Sequence, residues 1–214
     1  MNNLVYLLAG ILLIALLLIV FYNDLFKSGD TIKYDLITDT KPIEQDFEKR
    51  YVLSEIIKDR DTMIVPGHGE GLTFTWKMFI PNTMGERGWL SNFSKDKPLI
   101  RIGDSPHIYY NPKNNILKII LKYKETPFYA HYPVIELKDI PLQTWNHYAV
   151  VINGNTVIIY FNGKQVKNHK LNNIPIISNN DIILGEMDNN IIGSIKDFSI
   201  HFRPYDTYEI RKIF

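Results

Sequence analysis

The sequence predicts an all-β domain, a sandwich of two antiparallel sheets, preceded by one transmembrane helix at the N-terminus. Three observations point to it. Residues 4–22 form an uncharged apolar run, and later segments are short, rich in Ile, Val, Tyr and Phe, and bounded by Gly, Pro, Asn or Asp; two Asn-Gly dipeptides separate such segments. With 214 residues, 45% hydrophobic and 22% charged, the chain can build an ordinary core and is neither disordered nor collagen-like.

The run LVYLLAGILLIALLLIVFY has roughly the 20 residues that a helix needs to cross a bilayer. The three residues before it carry no Lys or Arg, and it exceeds the apolar core of about 7 to 15 residues in a cleaved signal peptide, so an uncleaved anchor over 1–23 is expected. Lys27, Lys33 and Lys41 follow it and favour a cytosolic placement of what comes next. The sequon Asn92-Phe93-Ser94 would be glycosylated only on the lumenal side, so these two clues oppose each other. Residues 24–46, polar and broken by Ser28-Gly29-Asp30 and Lys41-Pro42, read as a juxtamembrane stalk or arm, which leaves 47–214 for the folded domain.

Within that domain, strands are expected around 50–57, 72–80, 88–93, 99–102, 116–123, 134–137, 145–152, 156–161, 181–184 and 192–202, with no long helical period competing. Asn153-Gly154 predicts a type I′ hairpin, and Asn162-Gly163 then returns the chain towards Val166, giving three consecutive antiparallel strands. In the middle strand Val157, Ile159 and Phe161 face one way and Ile158 and Tyr160 the other, so both faces need cover. Residues 207–214 predict a short helix with Tyr208, Ile210 and Ile213 able to dock on the sheets.

The stretch WNHYAVVINGNTVIIYFNGKQV at 145–166 resembles the W-x-H-h-A-h-V-x-x-G … h-x-h-Y-h-N-G-x-x-V signature of laminin G-like and concanavalin A-like lectin/glucanase domains. IILG at 182–185, IGSIKDFSIHF at 192–202 and LTFTWKMFI at 72–80 are similar to three further strands of that family, and 208–213 to its short helix. Lys196 and Ile192 stand where the family often has Asp and Phe. The resemblance spans 67–214 and implies a jelly-roll sandwich. Members bind glycans or proteins, some hold Ca²⁺ at a rim and a minority hydrolyse glycosides, so it does not choose an activity.

Glycoside hydrolysis needs two carboxyl groups flanking the bond, and related glucanases carry Glu-x-Asp-x-x-Glu on one strand face. Here Glu186-Met187-Asp188 is followed by Asn189, Asn190 and Ile191, so the last carboxylate is missing and no enzyme is expected. Asn179, Asn180, Asp181, Glu186, Asp188 and Asn189 are hard oxygen donors of the kind Ca²⁺ takes, with Asp181 and Asp188 the candidate ligands; the same residues also suit plain turns. The six histidines show no HxH or HExxH spacing. Gly67-His68-Gly69-Glu70-Gly71 lacks the Lys-Ser/Thr of a phosphate loop and reads as a flexible lead into a strand. Trp76 falls on an apolar strand and Trp145 on the family's buried signature position, leaving Trp89 as the aromatic for a sugar platform, with core packing as its other reading.

There is no cysteine, which excludes disulfides, thiol nucleophiles and thiolate zinc sites, and a net charge of +1 spread along the chain argues against nucleic acid as a partner. The expectation is a single-pass membrane protein without catalysis or an obligatory cofactor. It would bind a glycan or protein through Trp89, Asn179, Asn180, Asp181, Glu186 and Asp188 at the sandwich rim, with Asn92 glycosylated if the domain is at the cell surface. The alternative expectation is a minor capsid protein of a large DNA virus, tethering capsid proteins to the internal virion membrane.

Overall fold

The computed structural model describes residues 33–43, 47–52, 71–82, 95–123, 132–178, 181–187 and 191–214. They form two antiparallel sheets. The first contains β1 (Lys33–Ile37), β13 (Gly193–His201), β4 (Leu72–Phe79), β9 (Trp145–Asn153), β10 (Thr156–Phe161) and β11 (Lys164–Lys170) in that order, with β2 (Lys41–Ile43) also pairing with β13. The second runs β3 (Glu48–Tyr51), β12 (Ile182–Gly185), β5 (Lys97–Ile102), β6 (His107–Asn111), β7 (Ile116–Ile120) and β8 (Val134–Lys138).

Alternation along each strand decides what lies between the sheets. In β4 Leu72, Phe74, Trp76 and Met78 are fully buried in the core, while Thr73, Thr75 and Lys77 point to the opposite face. The six-stranded sheet contributes Ile100, Ile102, Ile108, Leu117, Ile119, Ile182 and Leu184 from its side. At roughly 25 cal/mol per Å² of apolar surface removed from water, this continuous layer is the main force holding the sheets together.

The outer side of β9 and β10 is apolar as well, and helix α1 (Thr207–Ile213) covers it. Ile210 packs into a second cluster with Ala149, Val151 and Tyr160, and Ile158, Tyr205 and Ile213 surround it. A capping box starts this helix: Asp206 Oδ1 accepts from the Glu209 amide at 2.8 Å, and Glu209 Oε2 accepts from the Asp206 amide at 2.9 Å. Tyr208, expected to dock, is 66% exposed because it lies on the side of α1 facing away from Ile210.

Three further expectations change. Residues 33–43, read as a stalk, supply β1 and β2 on the flank of the sheet, so the domain begins by Lys33 and not at 47. Ile37 and Ile43 are buried in the core, and Pro42 is tolerated because β2 lies off the main path of the sheet. The first hairpin turns at Gly154-Asn155: Gly154 alone has positive φ (55°), the type II′ sign pattern, whereas Asn162 (47°) and Gly163 (78°) have the two positive values of type I′. Strand β6 was not anticipated, being only five residues framed by Pro106 and Pro112. The expected strand 88–93 and the apolar run 4–22 lie outside the described residues, among which no helix is long and apolar enough to cross a membrane.

Candidate functional site

Among the described residues, an open polar groove of about 360 Å³ lies on the outer face of the seven-stranded sheet. Its walls are the outward positions of four strands, Asp35 on β1, Thr75 and Lys77 on β4, His147 on β9, and Asp197, Ser199 and His201 on β13, closed by Thr38 and by Ile213 of α1. The sheet register makes these residues neighbours: Asp35 pairs with Ser199, Ser199 with Thr75, and Lys77 with His147.

A β-bulge shapes the middle of this groove. The pairing of β13 with β4 slips between Lys196 and Ser199, and within the slip Asp197 takes a positive φ of 51°. A bulge re-aims a side chain, and here the Asp197 carboxylate lies 2.9 Å from Lys77 Nζ. Lys196, which the register sets opposite Lys77, places its ammonium 4.3 Å above the Trp145 ring. At the other end Ser199 Oγ donates to Asp35 Oδ1 at 2.7 Å, and the Tyr205 hydroxyl lies 2.6 Å from His201 Nδ1.

His147 forms one side of the groove and packs its ring on Phe214, with centroids 3.8 Å apart. Its amide donates to Asn162 Oδ1 and its carbonyl accepts from the Asn162 amide, both at 2.8 Å, so the second Asn-Gly turn holds this part of β9 in place. Burial, with the Lys77 ammonium adding to it and Asp197 opposing, pushes the imidazole down to about 4. The ring is therefore neutral near pH 7, a donor and acceptor without charge.

Of the rim residues expected from sequence, the structure describes Asp181 and Glu186. Asp181 and Glu186 flank opposite ends of β12, about 16 Å apart along an extended chain, too far to share one ion. Each is held by an arginine: Arg50 Nη1 lies 3.6 Å from Asp181, and Arg101 Nη1 lies 3.3 Å from Glu186 while its Nη2 donates to the Gly185 carbonyl. Trp89, Asn92, Asn179, Asn180 and Asp188 lie outside the described residues. Among the described residues no three His, Asp or Glu side chains gather as metal ligands.

Trp145, expected in the core, stands half-buried on the outer face beside Phe79, with ring centroids 5.8 Å apart. Trp76 is in the core as expected. Asp35, Thr75, Lys77, Asp197 and Ser199 were missed by the sequence reading. The polar half of the β4 and β13 alternation was their only trace.

Residues 73–211 match the family described as the concanavalin A-like lectin/glucanases superfamily. No curated protein matches the chain. Among solved structures, the chain is similar to the botulinum neurotoxin serotype D binding domain, at 12% identity and a TM-score of 0.61 over 87% of this chain and 46% of that one. It is also similar to the serotype D ligand-binding domain in complex with N-acetylneuraminic acid, at 13% identity and a TM-score of 0.59, covering 88% and 46%. A third is the receptor-binding domain of the mosaic serotype C/D neurotoxin, at 12% and 0.55, covering 87% and 46%. The chain spans under half the length of these proteins, and at such identities the likeness is one of fold.

Proposed function

We propose, for a chain that belongs to the concanavalin A-like lectin/glucanases superfamily, that it is a non-catalytic glycan-binding module held at a membrane by residues 4–22, with the groove on the seven-stranded sheet as its binding site. The observation that carries this reading is the groove itself. Its volume of about 360 Å³ is of the size that takes a small ligand, and the Asp, Lys, Ser, Thr and His side chains lining it offer the donors and acceptors that a ring of hydroxyl groups requires. Trp145 and Phe79 add aromatic surface on the same face, with the Lys196 ammonium over the Trp145 ring. The neurotoxin domain with N-acetylneuraminic acid bound lends support from the fold, for that protein.

The test is a glycan array probed with the full chain in detergent and with its Thr38→Trp variant, which fills the groove from an exposed position. Binding by the wild type that the variant loses supports the reading; no binding, or binding that Thr38→Trp leaves intact, refutes it. The tethering alternative rests on the apolar run followed by Lys27, Lys33 and Lys41, and protease protection of the domain in sealed membranes separates a lumenal receptor from a cytosolic scaffold.

A further inference from the structure

We propose that the groove selects an uncharged sugar over acidic sugars, an inference that rests on the glycan reading above. The charged groups in and beside the groove already have contacts, and its one lysine is paired with a carboxylate. Lys77 holds Asp197 at 2.9 Å, Lys196 sits over Trp145 at 4.3 Å, and Asp35 accepts from Ser199 at 2.7 Å. His201 is engaged with Tyr205 at 2.6 Å, and His147 adds no charge near neutral pH because burial keeps its imidazole in the neutral form.

A carboxylate entering this space would meet the negative groups of Asp35 and Asp197, and the nearest cation, Lys77, would have to leave Asp197 to receive it. An ammonium would meet the same two carboxylates as possible acceptors, so the exclusion that the charges impose falls on acidic sugars. Receiving a carboxylate breaks the Lys77–Asp197 pair and strips a charged ligand of water, whereas a hydroxyl can donate to a carboxylate oxygen and accept from Lys77 Nζ while the pair stays formed. The bulge supports this assignment independently of charge counting. Asp197 is held at φ 51°, in a conformation that costs a non-glycine residue energy, and what that conformation achieves is to set a carboxylate beside Lys77 inside the groove. Paired donor and acceptor groups at fixed spacing suit two neighbouring hydroxyls.

The experiment is calorimetric titration of the full chain in detergent with methyl glucoside, methyl mannoside and methyl galactoside. N-acetylneuraminic acid, glucuronic acid and glucosamine are titrated alongside, with Thr38→Trp and Lys77→Met variants checked for unchanged melting. The expected result is at least one neutral glycoside bound about tenfold or more tightly than either acidic sugar, a difference of about 1.4 kcal/mol. That binding should be lost in Thr38→Trp, and in Lys77→Met it should weaken about tenfold while glucosamine gains, because Asp197 then lacks its cation. An acidic sugar bound most tightly, and lost in Thr38→Trp, overturns the selectivity and leaves the glycan site standing. If no sugar binds, or none is sensitive to Thr38→Trp, the glycan reading fails and this inference fails with it.

Discussion

Trp76 and Tyr148 stack face to face in the centre of the sandwich, their ring centroids 4.9 Å apart and their planes 9° from parallel, as a directly opposed pair across the β4–β9 seam. Phe74 and Phe161 flank them at 6.0 Å and 5.2 Å. The pair holds together the two strands that carry Thr75, Lys77 and His147 on their other face, so core packing and groove geometry are two sides of the same strands.

The two rings predict opposite outcomes. Trp76→Ala leaves a large cavity and is expected to cost about 3 to 5 kcal/mol in chemical denaturation. The Tyr148 hydroxyl, by contrast, is buried with no hydrogen-bond partner among the described residues, and burial pushes its ionisation far up. Removing it as Tyr148→Phe relieves that desolvation while keeping the ring, so stability is expected to stay level or rise by about 1 kcal/mol. A loss above about 1 kcal/mol would contradict that assignment.

His147 predicts a dependence on pH. Its folded-state value of about 4 lies below the ordinary 6.5, so between those values the unfolded chain binds more protons than the folded one. The stability associated with the neutral ring is therefore full above about pH 6.5 and is lost as pH falls towards 4, by up to about 3 kcal/mol. Urea midpoints of the wild type and His147→Gln between pH 7.5 and 4.5 check this. The variant should show the shallower decline.

The cover over β9 and β10 depends on how α1 is started. Asp206→Ala removes one half of the capping box and is expected to cost about 1 kcal/mol and to speed amide exchange in α1. Arg203 bonds to Glu209 and holds its carboxyl below the usual range, which strengthens the same box from the other side. Exchange rates in α1 that do not change on Asp206→Ala would show that packing of Ile210 alone sets its stability.

Gly71 and Gly154 should respond differently to alanine. A Cβ on Gly71 would meet the Ile152 carbonyl oxygen at 2.6 Å and Pro204 Cδ at 2.4 Å, so Gly71→Ala is expected to cost about 1 to 3 kcal/mol through forced displacement. At Gly154 nothing lies within 4 Å, and the cost is only that of the positive φ of 55°, about 1 kcal/mol. Thermal melts of both variants should rank them in that order.

Much of this fold was legible because strand period and turn chemistry are local properties. The strand at 72–80 with Trp76 in the core and the apolar signal on both sides of β10 each predicted a feature that the structure contains, the latter as the helix that covers Tyr160. Strands β1 and β2 were not legible, because short polar flank strands are defined by the register they find on β13 and only Ile37 and Ile43 mark their buried side. The groove was less legible still. Its residues come from β1, β4, β9 and β13, far apart in sequence, and are brought together by pairing that no single segment encodes. The rim residues stood out for the opposite reason: the run 179–190 is rich in Asn and Asp, which marks turns as readily as ligands.

The most direct test of the account is amide hydrogen exchange of the full chain in detergent with and without the tightest sugar found on the array. The groove account predicts slowed exchange on β4 and β13 around Thr75, Lys77, Asp197 and Ser199, with β12 between Asp181 and Glu186 unchanged. Protection confined to β12 and its flanking loops would place the ligand at the rim and contradict the groove as the binding site.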